Sequence, residues 1–184
     1  MKPVDRASVQ DYVTYNEKRA EVRAQVLEIK KPRRVHVGPE LTFLFETTDT
    51  MRYQVQEMMR VEQIVRESDI QHEIDTYNEV LGGPGDLGCT LLIEIDDSAE
   101  RDVKLSAWLD LPKHLYVKVE GGDKVYAKFD ERQIGETRLS SVQYIKFETK
   151  GAKPVAVGSD LPALTVEAPL SEEQRAALAQ DVAS

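Results

Sequence analysis

Apolar residues recur along the chain in two rhythms, and the change between them falls near residue 88. From Val9 to Lys31, the positions Val9, Tyr12, Val13, Asn16, Ala20, Arg23 and Leu27 follow helical spacing. They predict a first helix, ended by Pro32, which has no N–H to donate and clashes with the preceding turn. A short strand from Arg33 to Val37, a Gly38-Pro39 turn and an apolar run from Leu41 to Phe45 come next. Thr48 and Asp49 can cap a long helix running through Met51 to about Glu67, and Ser68-Asp69 opens another that ends near Leu81. The run Gly82 to Gly88 (GGPGDLG) cannot stay helical and predicts a loop.

Beyond that loop the rhythm shortens to two. Cys89 to Ile95 (CTLLIEI) predicts a buried strand, and Ala99 to Leu109 a short helix stopped by Pro112. His114 to Glu120 and Lys124 to Asp130 alternate apolar and polar residues around Gly121-Gly122-Asp123, the pattern of a hairpin. Ser141 to Thr149 and Val155 to Val157 are further strand candidates, followed by an extended Ala163 to Leu170. Ser171 with Gln174 forms a capping box that opens a terminal helix to Val182. Helices first and consecutive short strands afterwards argue α+β, with N-terminal helices packed against a mainly antiparallel sheet and a short C-terminal helix. One domain, 1–184, is expected, with 1–82 mainly helical, 89–158 mainly strand, and 159–184 an extended tail and terminal helix.

Composition narrows the class. With 184 residues, 41% hydrophobic and 31% charged, the chain can bury a core and is not of disordered type. It has no apolar run of membrane-spanning length and no apolar signal region at its start, and its single cysteine, Cys89, can form no internal disulfide. A cytoplasmic location is the expectation. The net charge of −9 repels nucleic acid and acidic membranes, so neither is an expected partner. Against that background seven cations fall between Lys18 and Arg34, a local patch suited to an anion or to acidic neighbours.

No Walker-type phosphate loop, GxGxxG, HExxH, CxxC or GxSxG is present. The informative stretch is the long helix, where Met51, Val55, Met58, Met59 and Val65 share a face at about 100° per residue, with Glu62 in its midst and Gln54 at its edge. A carboxylate turned into such a face needs a counter-charge or must take up a proton. The first helix offers Arg23, with Arg19 at its flank, so a buried Arg23–Glu62 pair is expected, either as an interhelical lock or as part of a ligand site. A carboxylate-based metal site would draw on Glu57, Glu62 and His72, but no Glu-x-x-His pair occurs, and no metal or other cofactor is predicted. Glu46 and Glu57 are expected at the surface or at helix caps, and Cys89 as a small core hydrophobe.

Four stretches carry a resemblance. RRVHVGPELTFLFETTDT (Arg33 to Thr50), YQVQEMMRVEQI (Tyr53 to Ile64), YNEVLGGPGDLGCTLLIEIDD (Tyr77 to Asp97) and SSVQYIKF (Ser140 to Phe147) resemble a bacterial family of unknown function, number 3501 among such domains. The likeness spans Asp5 to Phe147. It implies no established activity. It implies a neighbourhood of rubrerythrin-like proteins and iron–sulfur oxidoreductases, and hence an accessory role in peroxide defence or electron transfer. Three expectations follow. The first is an accessory protein with such a redox partner and a small anionic ligand near Arg19, Arg23, Arg34, Gln54 and Glu62. The second is an enzyme or ligand-binding domain with a polar pocket around Glu62. The third is the carboxylate metal site. Sheet edges and the terminal helix also offer surfaces for a homo-oligomer.

Overall fold

The computed structural model describes residues 1–184. It is α+β, with its strands divided between two antiparallel sheets rather than gathered in one. Strands β1 (Arg34–Val37), β2 (Leu41–Glu46), β3 (Leu87–Ile93), β7 (Val142–Phe147) and β6 (Lys128–Phe129) lie in that spatial order in the first sheet. The second sheet has the order β5 (Lys124–Tyr126), β4 (Leu115–Val119), β8 (Pro154–Leu161), β9 (Leu164–Pro169).

The inner faces of the sheets build the main core. Period-two alternation turns Phe43 and Phe45 of β2, Cys89 and Leu91 of β3, and Ile145 and Phe147 of β7 inward, toward Leu115 and Val117 of β4 and Val157 of β8. The rings of Phe43, Phe45 and Phe147 stand 6.3–6.5 Å apart, within the range of favourable aromatic contact. Helix α4 (Ser98–Ala107), the short α5 (Leu111–His114) and α6 (Glu172–Val182) close this core with Leu105, Leu111, Leu178 and Val182. The capping box of α6 forms as expected, Ser171 accepting from the Gln174 N–H and Gln174 from the Ser171 N–H.

The predicted strand from Lys124 to Asp130 is interrupted at Ala127. Its first half, β5, pairs with β4 in the hairpin, and its second half, β6, crosses to pair with β7 in the other sheet. A strand that changes sheets makes a corner of the sandwich, which alternation alone cannot reveal.

Helices α1 (Tyr12–Lys30), α2 (Thr48–Glu62) and α3 (Glu67–Asn78) form the N-terminal layer. Helix α2 starts on a reciprocal box between Thr47 and Thr50, and stops at Gln63, whose left-handed φ of 53° terminates it. Met51, Val55 and Met59 of α2 pack with Ile70 and Ile74 of α3 in a second, smaller core. The end of α3 continues across the first sheet at Gly88, where a Cβ would lie 2.0 Å from the Val80 carbonyl oxygen. Helix α1 is the most exposed element of the layer, burying only Tyr15 and Val26.

Candidate functional site

The polar centre expected around Glu62 does not form. Its angular phase on α2 is as read, but the helix ends there, so nothing packs over the last turn and Glu62 is exposed. Arg23 is exposed on α1, and no Arg23–Glu62 pair exists. Arg34 is exposed on β1, and Gln54 is half-buried on α2. Arg19 and Arg23 share a shallow concavity with Asn16, Ala20, Ala24 and Leu27, and no bond joins any two of Arg19, Arg23, Arg34, Gln54 and Glu62. Of the three metal candidates, Glu62 and His72 line a shallow cleft with Asp69 and Glu73, while Glu57 is engaged elsewhere. No group of three or more His, Cys, Asp or Glu side chains is arranged to hold a metal ion.

Among the carboxylates that do turn inward are Glu57 and Glu46, both expected at the surface or at caps. Glu57 accepts from Arg19 Nε at 2.8 Å, Arg19 Nη2 at 2.9 Å and the Tyr15 hydroxyl at 2.5 Å, with Arg60 Nη2 at 3.4 Å. Arg19, opposed by burial and aided by Tyr15, holds the Glu57 carboxyl down at about 2. Glu46, only 4% exposed, accepts from the hydroxyls of Thr50 at 2.5 Å and Thr90 at 2.7 Å. Both arrangements join a helix to its neighbour or to the sheet.

The outer face of the second sheet is also polar, but its charges answer one another. Asp160 accepts from the Tyr126 hydroxyl at 2.7 Å and Lys124 Nζ at 2.9 Å, and His114 Nδ1 stands 3.0 Å away. Glu167 accepts from the Tyr116 hydroxyl and from Lys118, and Lys124 sits 4.0 Å over the Tyr116 ring.

A groove of about 620 Å³ lies where the end of α3 borders β6 and β7 on the outer face of the first sheet. Gly88 creates it. With no side chain there, the backbone of Val80 to Gly82 lies directly on the sheet, and the α3 end forms one wall beside Tyr144 and Lys146. Along β7, Ile145 and Phe147 point into the core, so Tyr144 and Lys146 must point outward to the groove. Phe129 contributes apolar surface, and Tyr77, half-buried, faces Tyr144 from α3. Gln133 steadies the far wall, receiving the Tyr144 N–H at 2.9 Å and donating to the Tyr144 carbonyl at 3.2 Å.

The charged groups of the groove differ in how far they are satisfied. Lys128 pairs with Glu148 at 2.7 Å, and Asp130 is bonded to Arg132. Lys146 makes no ion pair, and the hydroxyls of Tyr77 and Tyr144 have no hydrogen-bond partner in the chain. Burial, with Tyr77 beside it, pushes the Tyr144 hydroxyl above its ordinary value, so it stays neutral and able to donate. Two hydroxyls and the Lys146 ammonium thus line an apolar floor, with the unpaired Glu79 carboxylate at the α3 wall, the composition of a small-ligand site. The strand pattern Ser141 to Thr149 already placed Tyr144 and Lys146 on one face; it could not show that the α3 end would rise beside them.

A crystal structure titled as a novel protein of unknown function, from Burkholderia pseudomallei K96243, matches with a TM-score of 0.89 and 29% identity, over 98% of this chain and 100% of that one. No curated protein matches the chain. No helix is long and apolar enough to cross a membrane. A family model described as "Protein of unknown function (DUF3501)" matches residues 3–182, and the chain belongs to that family.

Proposed function

We propose that the protein is an accessory binding protein whose working site is the groove between the end of α3 and strands β6 and β7. The observation that carries this reading is the convergence of the free Tyr77 and Tyr144 hydroxyls and the unpaired Lys146 on an apolar floor. Such a site suits a small molecule with a flat apolar body and one anionic group. The rings and Phe129 would cover the body, and Lys146 would meet the charge in a partly desolvated setting where one cation counts for more than in water.

Anilinonaphthalenesulfonate, a flat aromatic anion, tests the site directly. Saturable one-to-one binding with rising fluorescence is expected, weakened about tenfold or more in Lys146→Glu, as loss of a charge-assisted contact predicts. Equal binding by the wild type and Lys146→Glu would remove the groove from consideration.

The family resemblance supplies the class of protein this accessory would serve, an iron–sulfur oxidoreductase or a rubrerythrin-like peroxide-defence protein. Co-purification with the purified oxidoreductase, compared with an equally acidic unrelated protein, tests that reading. No enrichment over the control counts against it.

A further inference from the structure

The face of α1 that the sequence marks as its apolar stripe is the one the fold leaves uncovered. Helix α1 meets the rest of the molecule on the side of its buried Tyr15 and Val26 and of Arg19, whereas Val13 is 55% exposed and Leu27 51% exposed. At about 100° per residue, Val13, Ala20, Ala24 and Leu27 align along the outward side. A helix bound on one side only should carry polar residues on the other. Here apolar residues recur on the outer side as well as on the inner one, and a shallow concavity of about 420 Å³ runs past Ala20 and Ala24, where two backbones can approach closely.

The charges bordering the stripe say what covers it. Glu17, Glu21 and Glu28 follow one edge, and Arg19 and Arg23 the other. A two-fold axis parallel to the helix sets each copy's acidic edge against its partner's basic edge, with Arg23 opposite Glu28 of the second copy five residues on. An antiparallel pair would instead set like charges together, which is destabilising. Arg19 is already bound to Glu57, so Arg23, which has no partner within its own chain, is the cation left for this contact. We infer that the occupant is a second copy of this chain, with two α1 helices pairing in parallel and each α2 lying outside its own α1. The 19-residue helix is about 28 Å long at ~1.5 Å per residue. One helix face per partner is less than the roughly 800 Å² of a standard interface, so the dimer should be reversible, with Kd on the order of micromolar.

Sedimentation equilibrium over a concentration series, with charge swaps, tests this. The wild type should show a reversible monomer–dimer equilibrium. Arg23→Glu and Glu28→Arg, both at exposed positions, should each weaken it about tenfold or more, and the double swap should restore it. A monomeric wild type at every concentration overturns the proposal, as does a dimer indifferent to the swaps or a double variant as weak as the singles. None of these outcomes depends on the groove, which lies on a different face.

Discussion

The Tyr15 hydroxyl, on a side chain with no exposed surface, donates to Glu57 Oε1 at 2.5 Å, and the same carboxylate takes both nitrogens of an Arg19 fork. This is the polar lock between α1 and α2. The carboxylate that performs it stands five residues before Glu62, the one the helical wheel singled out. Glu57→Ala would leave a fully buried phenol without its acceptor and an arginine without its partner. It should cost about 1–3 kcal/mol, the usual price of a stranded buried donor. Glu62→Ala, at an exposed helix end, should fall within about 0.5 kcal/mol of the wild type. Chemical denaturation of both variants checks the contrast, and equal effects would contradict the lock.

Acid should weaken the fold through the same group. The Glu57 carboxyl is held at about 2 by Arg19 and Tyr15, and the Asp160 carboxyl at about 2 by the Tyr126 hydroxyl, Lys124 and His114. Both folded values lie below those of an unfolded chain, near 4. The folded state therefore binds fewer protons than the unfolded one in that window. The stabilisation is fully present above about pH 4–5 and is lost as pH falls toward 2. Melting temperature measured against pH should drop through that range, and Glu57→Gln should show a shallower drop. An identical slope in the variant would detach the acid sensitivity from this carboxylate.

Gly88 is required by contact rather than by backbone angle. A methyl group there would meet the Val80 carbonyl oxygen at 2.0 Å and the Gly82 nitrogen at 2.9 Å, and neither is a flexible side-chain end. Gly88→Ala should force the α3 end off the sheet, destabilise the protein by several kcal/mol, about the upper end of single substitutions, and widen the groove. Thermal melting together with dye binding would show both losses. A variant normal in both would mean the crossing is looser than the contact distances require.

Cys89 points into the main core with no exposed surface, and burial pushes its thiol well above the ordinary value, with the Glu46 charge adding to it. A thiol that is both neutral and enclosed does not attack disulfides. The folded protein should therefore react with a disulfide reagent only as fast as it unfolds, whereas the denatured chain should react at once. Rapid modification of the native protein would refute the enclosed position.

Much of the architecture was legible because it is written in local periodicity. The hairpin at Gly121-Gly122, the capping box at Ser171 and the outward Tyr144 and Lys146 all follow from spacing or from residues within four positions of each other. The failures share a different cause. A wheel gives the direction of Glu62 but not whether anything lies in that direction, and α2 ends before a neighbour can cover it. Glu57 and Tyr15 are 42 positions apart, and nothing local to either announces the other. The switch of sheets at Ala127 likewise depends on where β7 lies, not on the residues of β6. The stripe on α1 is apolar as the spacing predicts but faces outward, because periodicity alone does not tell an exposed apolar face from one that meets a core.

Between α1 and β1, Arg33 reaches across to Asp181 in α6, with Nε and Nη2 each 2.8 Å from a carboxylate oxygen and both side chains largely enclosed. The contact spans 148 positions of chain. During translation the helical layer emerges well before its counter-ion exists, leaving the guanidinium exposed to water until residue 181 clears the ribosomal tunnel. Completion of α6 thus acts as a late latch, and shortened chains lacking it should be the ones that chaperones and proteases intercept.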